Sequence, residues 1–184
     1  MEPKRSFWAD AAKGGTVIGF ILFIFLFLSV KFAAGNTPSA AGTILWWLEL
    51  ITFTLAAYSF TKNRAAKYGQ AGFTYGQGIG YIAAMMLFAG IIYGLGTYFV
   101  INHITPDTYM ESLAATAERM STLFGEQQTE EGMEIAERML RSPFAMIMNG
   151  IFGLIIYGGF IGLFTAAFTK RLPVTGTNNT PQNE

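Results

Sequence analysis

One stretch decides the fold. It covers residues 75–100 and reads YGQGIGYIAAMMLFAGIIYGLGTYFV. No formal charge occurs between Lys67 and Asp107. At about 1.5 Å per helical residue, the stretch is long enough to cross a hydrocarbon layer of about 30 Å. A basic loop precedes it and an acidic segment follows it. We therefore predict a membrane-spanning helix whose two flanks differ in charge.

Three further apolar runs have the length of a membrane span, so the sequence predicts an all-α membrane protein with four transmembrane helices. The four predicted spans are residues 14–32, 43–60, 75–100 and 144–169. A cleaved signal peptide is the alternative for the first run, because small residues follow it. Against that alternative, the run is long for a signal sequence, and Lys31 stands between it and the small residues.

The spans divide the chain into one domain and a tail. Residues 1–172 are predicted to form a single four-helix domain, with a helical extracytoplasmic insert, residues 105–141, between spans three and four. Residues 173–184 are polar and are predicted to be a disordered cytoplasmic tail.

Composition agrees with a membrane protein and excludes several functions. The chain has 184 residues, of which 52% are apolar and 13% charged, whereas soluble domains carry about 25% charged residues. The absence of cysteine excludes disulfides, thiol catalysis and thiolate metal sites. No basic patch is large enough for nucleic-acid binding.

The charged residues are segregated, and this predicts the orientation. Four spans place eight basic residues on one side: Lys4, Arg5, Lys13, Lys62, Arg64, Lys67, Lys170 and Arg171. The insert carries eight acids: Asp107, Glu111, Glu118, Glu126, Glu130, Glu131, Glu134 and Glu137. Because basic loops stay in the cytoplasm, both termini are predicted to be cytoplasmic and the insert extracytoplasmic. Lys31 is the exception, at a helix end where its side chain can reach the interface.

The insert is predicted to contain two helices. Residues 110–124 place an apolar face at helical spacing, and this face comprises Met110, Leu113, Ala114, Ala117, Met120 and Phe124. Residues 125–129 break the helix, and residues 130–141 resume it. We expect the apolar face to pack on the bundle or on the membrane surface. Ser142 and Pro143 then suit the N-cap and the first position of span four.

Several of these motifs, in their order and spacing, resemble a known family. The motifs are Tyr75-Gly76-Gln77-Gly78, Pro106-Asp107, the acidic helix ending near Met139, Pro143, and Gly162 followed by Ala166-Ala167-Phe168-Thr169-Lys170-Arg171. Together they resemble a bacterial family of small four-span membrane proteins, domain of unknown function 4199, from span one to Arg171. The resemblance implies four spans, an extracytoplasmic insert and a bacterial inner membrane. It implies no activity and no catalytic residues.

Glu49 is the most informative single residue, because a carboxyl group inside an apolar span is costly. Counting residues from the helix ends places Asn149 on span four and Tyr93 on span three near the same depth. A neutral Glu49 bonded to Asn149 or Tyr93 would join the spans. The alternative is a proton or cation site in a transporter.

Glycines four residues apart are predicted to let helices approach closely in lipid. These helix-packing residues are Gly15, Gly19, Gly76, Gly80, Gly90, Gly94, Gly158 and Gly162. The run from Gly76 to Gly80 does not match a phosphate-binding loop, because no strand precedes it.

No cofactor, metal-binding residue or catalytic residue is predicted. Six methionines and His103 raise the alternative of a soft-metal site, but their helical spacing is explained by an apolar face. The acids at 130–137 lack a calcium loop and fit a solvated face. Metalloprotease, nucleophile-elbow and Walker motifs are absent from the sequence. We expect no enzyme activity, with a membrane hydrolase built from scattered carboxylates as the alternative.

Two functional classes remain. The first is a structural or accessory protein of the inner membrane that presents its acidic insert, residues 105–141, to a membrane or periplasmic protein. The second is a small oligomeric transporter or channel that uses Glu49. The expected partners are the lipid bilayer, a protein bound through the insert and, for the transporter, further copies of the chain. The spans hold few polar groups, which favours the first class.

The orientation can be tested by thiol labelling, because the chain has no native cysteine. A cysteine introduced at Gln127 in intact cells should react with a membrane-impermeant reagent, whereas one introduced at Thr177 should not. The reverse labelling pattern would place the insert in the cytoplasm.

Overall fold

A computed structural model describes residues 4–32 and 40–172. The chain forms six α-helices: α1 Lys4–Phe32, α2 Ala40–Ala66, α3 Tyr75–Phe99, α4 Pro106–Phe124, α5 Glu126–Leu140 and α6 Pro143–Thr169. A 3₁₀ turn, Gly69–Ala71, precedes α3, and a π-helical turn, Val100–Ile104, follows it. The predicted tail, residues 173–184, lies outside the described residues. So do the side chains of Lys4, Arg5, Lys31, Phe124 and Glu126.

Four of these helices are long and apolar enough to cross a membrane, as predicted. The crossing segments are Phe7–Val30, Ala40–Ala66, Tyr75–Ile104 and Pro143–Thr169. The first begins earlier than the predicted residue 14, and α2 continues past the predicted end at residue 60. Both extensions carry charged side chains, Asp10 and Arg64, that pair with each other. Pairing reduces the cost of placing charge near an apolar helix surface.

Side-chain caps explain where two of the crossing helices begin. The Thr74 hydroxyl accepts from the Gln77 backbone N–H at 3.3 Å, and the Gln77 side chain accepts from the Thr74 N–H at 2.8 Å. This capping box opens α3. Ser142 caps α6 by accepting from the Ala145 N–H, with Pro143 at the first helical position, which confirms that prediction.

The four crossing helices form a bundle in which α3 makes the most extensive contacts. It packs along α6 on one side and α1 on the other, while α2 contacts α1 and α6 across the bundle. Large side chains fill the space between the helices. The most buried among them are Ile18, Leu22, Phe53, Tyr81, Ile82, Met85 and Met86. At the level of these residues, the interior of the bundle is apolar and closed.

Glycines bring the backbones of α3 and α6 into contact. A Cβ atom built on Gly90 would lie 2.5 Å from the Ile151 Cα, and one on Gly94 would lie 2.5 Å from the Met146 carbonyl oxygen. From the other helix, a Cβ on Gly150 would lie 2.5 Å from the Gly90 carbonyl oxygen. A larger residue does not fit at these positions. Because glycine has no side chain, the backbones of α3 and α6 come into direct contact here.

The predicted packing glycines occupy two kinds of position. Five lie tightly against a neighbouring helix: Gly15, Gly19, Gly90, Gly94 and Gly158. Gly162 makes ordinary van der Waals contact with Ile82. Gly76 and Gly80 have no neighbouring atom within 4 Å of an added Cβ. Gly150 was missed because no second glycine stands four residues from it.

The α3–α6 crossing predicts different effects on the free energy of unfolding for two glycine substitutions in α6. Gly150→Ala forces the backbones apart and should lower the free energy of unfolding by about 1–3 kcal/mol. Gly153→Ala is the matched control, because nothing lies within 4 Å of its Cβ, and it should be neutral or stabilising by up to ~1 kcal/mol. Thermal melting in detergent measures both. Equal melting temperatures would show that the crossing does not limit stability.

Candidate functional site

The α4 and α5 helices form a hairpin that contacts the bundle mainly at its base. One contact there joins the two chain segments on which the hairpin stands. The Asn102 side-chain amide, on the π-helical turn, donates to the Tyr98 carbonyl and to the Leu140 carbonyl, each at 3.0 Å. The bond to Leu140 ties the end of α3 to the end of α5. The base of the hairpin is thereby fixed to the bundle.

The inner faces of the hairpin helices line an apolar groove of about 300 Å³. Leu113, Ala117 and Met120 line it from α4, and Met133 and Ala136 from α5. Three residues of the predicted apolar face of α4 line this groove, whereas Met110 and Ala114 are exposed. Packing of the face on the membrane surface stays a prediction. Gly125 makes the reversal with φ of 88°, a left-handed conformation that glycine tolerates.

Acidic side chains cover much of the exposed surface of the hairpin, on the faces of α4 and α5 that point away from the groove lining. The exposed acids are Asp107, Glu111, Glu118, Glu130, Glu131 and Glu134. One of them is paired: Arg138 donates to the Glu134 carboxylate at 2.7 Å, with both side chains more than 70% exposed. Exposed apolar side chains, including Ile135 and Met139, interrupt the acidic surface. The hairpin therefore combines an apolar groove with an excess of negative charge.

Glu49 lies half-buried on α2, inside a membrane-crossing segment. Tyr93 on α3 and Tyr157 on α6 lie in its neighbourhood. Asn149, the other predicted partner, is exposed on α6. Among the described residues, no hydrogen bond joins Glu49 to Tyr93 or Asn149. The structure thus brings Glu49 toward two tyrosines, one of which sequence reasoning did not consider.

At the opposite end of the bundle from the hairpin lies an ion-pair cluster formed by Asp10, Arg64 and Lys67. One oxygen of the Asp10 carboxylate, Oδ2, accepts from Arg64 Nη1 at 2.8 Å and from Lys67 Nζ at 2.6 Å. The Arg64 side chain is only 2% exposed, and that of Lys67 is 51% exposed. The cluster joins the first turns of α1 to the last turn of α2 and to the residue that follows it.

Aromatic rings enclose the Arg64 guanidinium. Its central carbon lies 5.5 Å from the ring centroids of Phe7 and Tyr68 and 6.0 Å from that of Tyr81. At such distances a cation is attracted to the face of a ring. The rings and the Asp10 carboxylate together compensate the loss of hydration around this buried cation.

A backbone bridge completes this end of the bundle. The Phe73 N–H donates to the Arg171 carbonyl at 2.9 Å, and the Arg171 N–H donates to the Phe73 carbonyl at 2.8 Å. The bridge ties the loop before α3 to the end of α6. We call this end, where α1 and α3 begin and α2 and α6 end, the basic end.

Sequence reasoning missed the role of Asp10 and misassigned Arg64. The sequence analysis counts Arg64 as a basic residue of a cytoplasmic loop, but it lies in α2 and is buried. The available signal was an acid, Asp10, that lies close to the start of span one among basic residues. The pairing itself could not be predicted, because Asp10 and Arg64 are 54 residues apart.

In the described ranges, 4–32 and 40–172, no group of three or more acidic or histidine side chains is placed to hold a metal ion. His103 lies 5.2 Å from the Phe99 ring and 6.2 Å from the Tyr98 ring, centroid to centroid. It makes an edge-on contact with Tyr98 and a tilted contact with Phe99 at the base of the hairpin.

A model of one protein family, described as protein of unknown function (DUF4199), matches residues 13–171. The chain belongs to this family. The matched range of the DUF4199 protein contains α2 to α6, including the hairpin, and most of α1. Arg64 and Lys67 fall inside it, whereas Asp10 precedes it. No curated protein and no solved structure matches the chain.

The ion-pair cluster of this DUF4199 protein predicts a strong effect of Asp10→Ala. The substitution leaves the buried Arg64 without its carboxylate, which costs about 3 kcal/mol for a buried pair with one partly exposed member. Glu134→Ala is the matched control, because it breaks an ion pair on the solvent-exposed face of α5 that contributes ~0.5 kcal/mol or less. Thermal melting of the two purified variants compares them. A melting temperature for Asp10→Ala as high as that for Glu134→Ala would contradict a stabilising role for the cluster.

Proposed function

We propose that this protein is a structural or accessory protein of the bacterial inner membrane, with no enzymatic activity, and that its α4–α5 hairpin binds a protein partner. The observation that carries the proposal is the largely apolar groove between the two helices, on a hairpin that is held at its base and whose outer surface is acidic. A site of this kind suits recognition, because apolar contacts supply affinity and surrounding charges supply selectivity.

The proposed orientation has the hairpin outside the cytoplasm and both termini inside. The segregation of basic residues at one end and acidic residues at the other supports it. The partner is then a periplasmic protein or the extracytoplasmic part of another membrane protein.

The chemistry of the hairpin indicates which side chains the partner's binding segment carries. A groove lined by leucine, methionine and alanine accepts the apolar side chains of a short helix or of an extended segment. The negative charge of the hairpin as a whole favours a partner with a basic surface. An anionic lipid surface is a poor alternative, because the same acids would be repelled by it.

The transporter alternative has less support. Phe53, Tyr81, Met85 and Met86 are each 2% exposed or less and fill the bundle interior. An aqueous path through one copy of the chain would have to displace them. Glu49 lies in the neighbourhood of two tyrosines, but a single carboxyl group does not form a hydrated path through the span.

The proposal is tested by co-purification with a groove-filling variant. Gly132 lines the groove, and nothing lies within 4 Å of an added Cβ there. Gly132→Phe should therefore fill the groove without disturbing the hairpin. We expect a partner that co-purifies in fixed ratio with the native protein to be recovered at least about tenfold less with the variant, which corresponds to ~1.4 kcal/mol. Raising the salt concentration should also release the partner.

Gln127→Phe is the matched control, since Gln127 is exposed on the same helix and lies outside the groove lining. It should retain the partner. Equal recovery with both variants would contradict docking in the groove. Ion flux in liposomes that is abolished by Glu49→Gln, with the melting temperature unchanged, would favour the transporter instead.

A further inference from the structure

A second cavity, of about 160 Å³, lies at the basic end between α1 and α2. Its polar lining consists of Asp10, Lys13, Asn63, Arg64 and Lys67. The volume is several times the ~30 Å³ that one water occupies in the liquid. It therefore has room for a small polar group, and it is separate from the hairpin groove.

The lining carries more positive than negative charge. Asp10 is the only carboxylate among the lining residues, and its Oδ2 atom already accepts from Arg64 and Lys67. Three cations against one carboxylate leave an excess of positive charge. Lys13 and Asn63 are exposed, so their donor groups can turn toward a bound anion. The Asp10–Arg64 pair holds the floor of the cavity in place.

The position of the cavity suits a ligand at the membrane boundary. Lys13 lies inside the crossing segment Phe7–Val30, about one helical turn beyond Asp10. Trp8, on the same helix, is 54% exposed, and tryptophan is enriched at the level of lipid headgroups. Phe60 and Tyr81 supply an apolar wall. Basic pockets between membrane helices are a common way to bind anionic headgroups.

We propose that this cavity binds a phosphate group. Lys13 and Lys67 supply the charges that attract it, Asn63 supplies a hydrogen-bond donor, and Arg64 supplies fixed positive charge beneath it. The phosphate belongs either to an anionic phospholipid headgroup or to a free phosphate ion. The two share the same anionic oxygens, and the experiment separates them. The proposal does not depend on which side of the membrane the basic end faces.

The test uses the full chain, purified in a neutral detergent, and follows its melting temperature on addition of three probes. The probes are dioctanoyl phosphatidylglycerol, dioctanoyl phosphatidylcholine and inorganic phosphate. We expect a saturable rise with phosphatidylglycerol and none with phosphatidylcholine. An equal rise with inorganic phosphate identifies the free ion as sufficient, whereas no rise with it identifies the lipid. Equal responses to the two lipids, with inorganic phosphate inert, would overturn the proposal.

Substitutions of lysines inside and outside the cavity lining test whether the rise in melting temperature comes from binding in the cavity. Lys13→Gln should weaken the apparent affinity for phosphatidylglycerol about fivefold, and Lys13→Gln combined with Lys67→Gln should abolish the response. Because Lys67→Gln also breaks an ion pair, each variant is compared with its own melting temperature without probe. Lys62→Gln is the matched control: its ammonium lies 5.6 Å from the Tyr58 ring centroid, outside the cavity lining. A native response in Lys13→Gln, or an equal loss in Lys62→Gln, would overturn the proposed site.

Discussion

The bundle depends on the close approach of α3 to α6. Lipid tails are as apolar as leucine, so moving an apolar side chain from lipid into the bundle gains little free energy. Helix association therefore relies on van der Waals contact between the helices. Gly90, Gly94 and Gly150 provide that contact by leaving no side chain between the two helices. The α3 helix also packs along α1, so one helix sets the position of two neighbours. Among the four crossing helices, α2 depends least on this arrangement and is also the least buried.

This packing explains why the polar features lie at the ends of the bundle. Large apolar side chains close its interior, so a buried charge is tolerated only where a partner reaches it. At the basic end, Asp10 reaches Arg64 and Lys67. At the other end, Asn102 donates to the Leu140 carbonyl and so joins the turn after α3 to the end of α5. Binding by this protein is therefore expected at its ends, where polar groups and cavities occur together.

The sequence predicted the parts of the fold that local patterns determine. Apolar runs gave the four crossing helices, and Ser142 with Pro143 gave the start of α6. The contacts between elements were not predicted, because no local pattern encodes them. The pairing of Asp10 with Arg64 requires knowing that the start of α1 lies beside the end of α2. Predicting the groove likewise requires knowing that α4 and α5 pack side by side.

The residues around Glu49 illustrate a second limit of prediction from sequence. The sequence does not say how far each helix is rotated about its own axis. Depth in the membrane follows from counting residues, so Tyr93 and Asn149 could both be placed near Glu49. The rotation of a helix about its axis can be predicted only where one face is polar and another apolar. The α6 helix is apolar on nearly every face. Its inward face is set by Gly150, which touches α3. Asn149, one residue earlier, is turned by about 100° and is exposed, whereas Tyr157 from the same helix lies in the neighbourhood of Glu49.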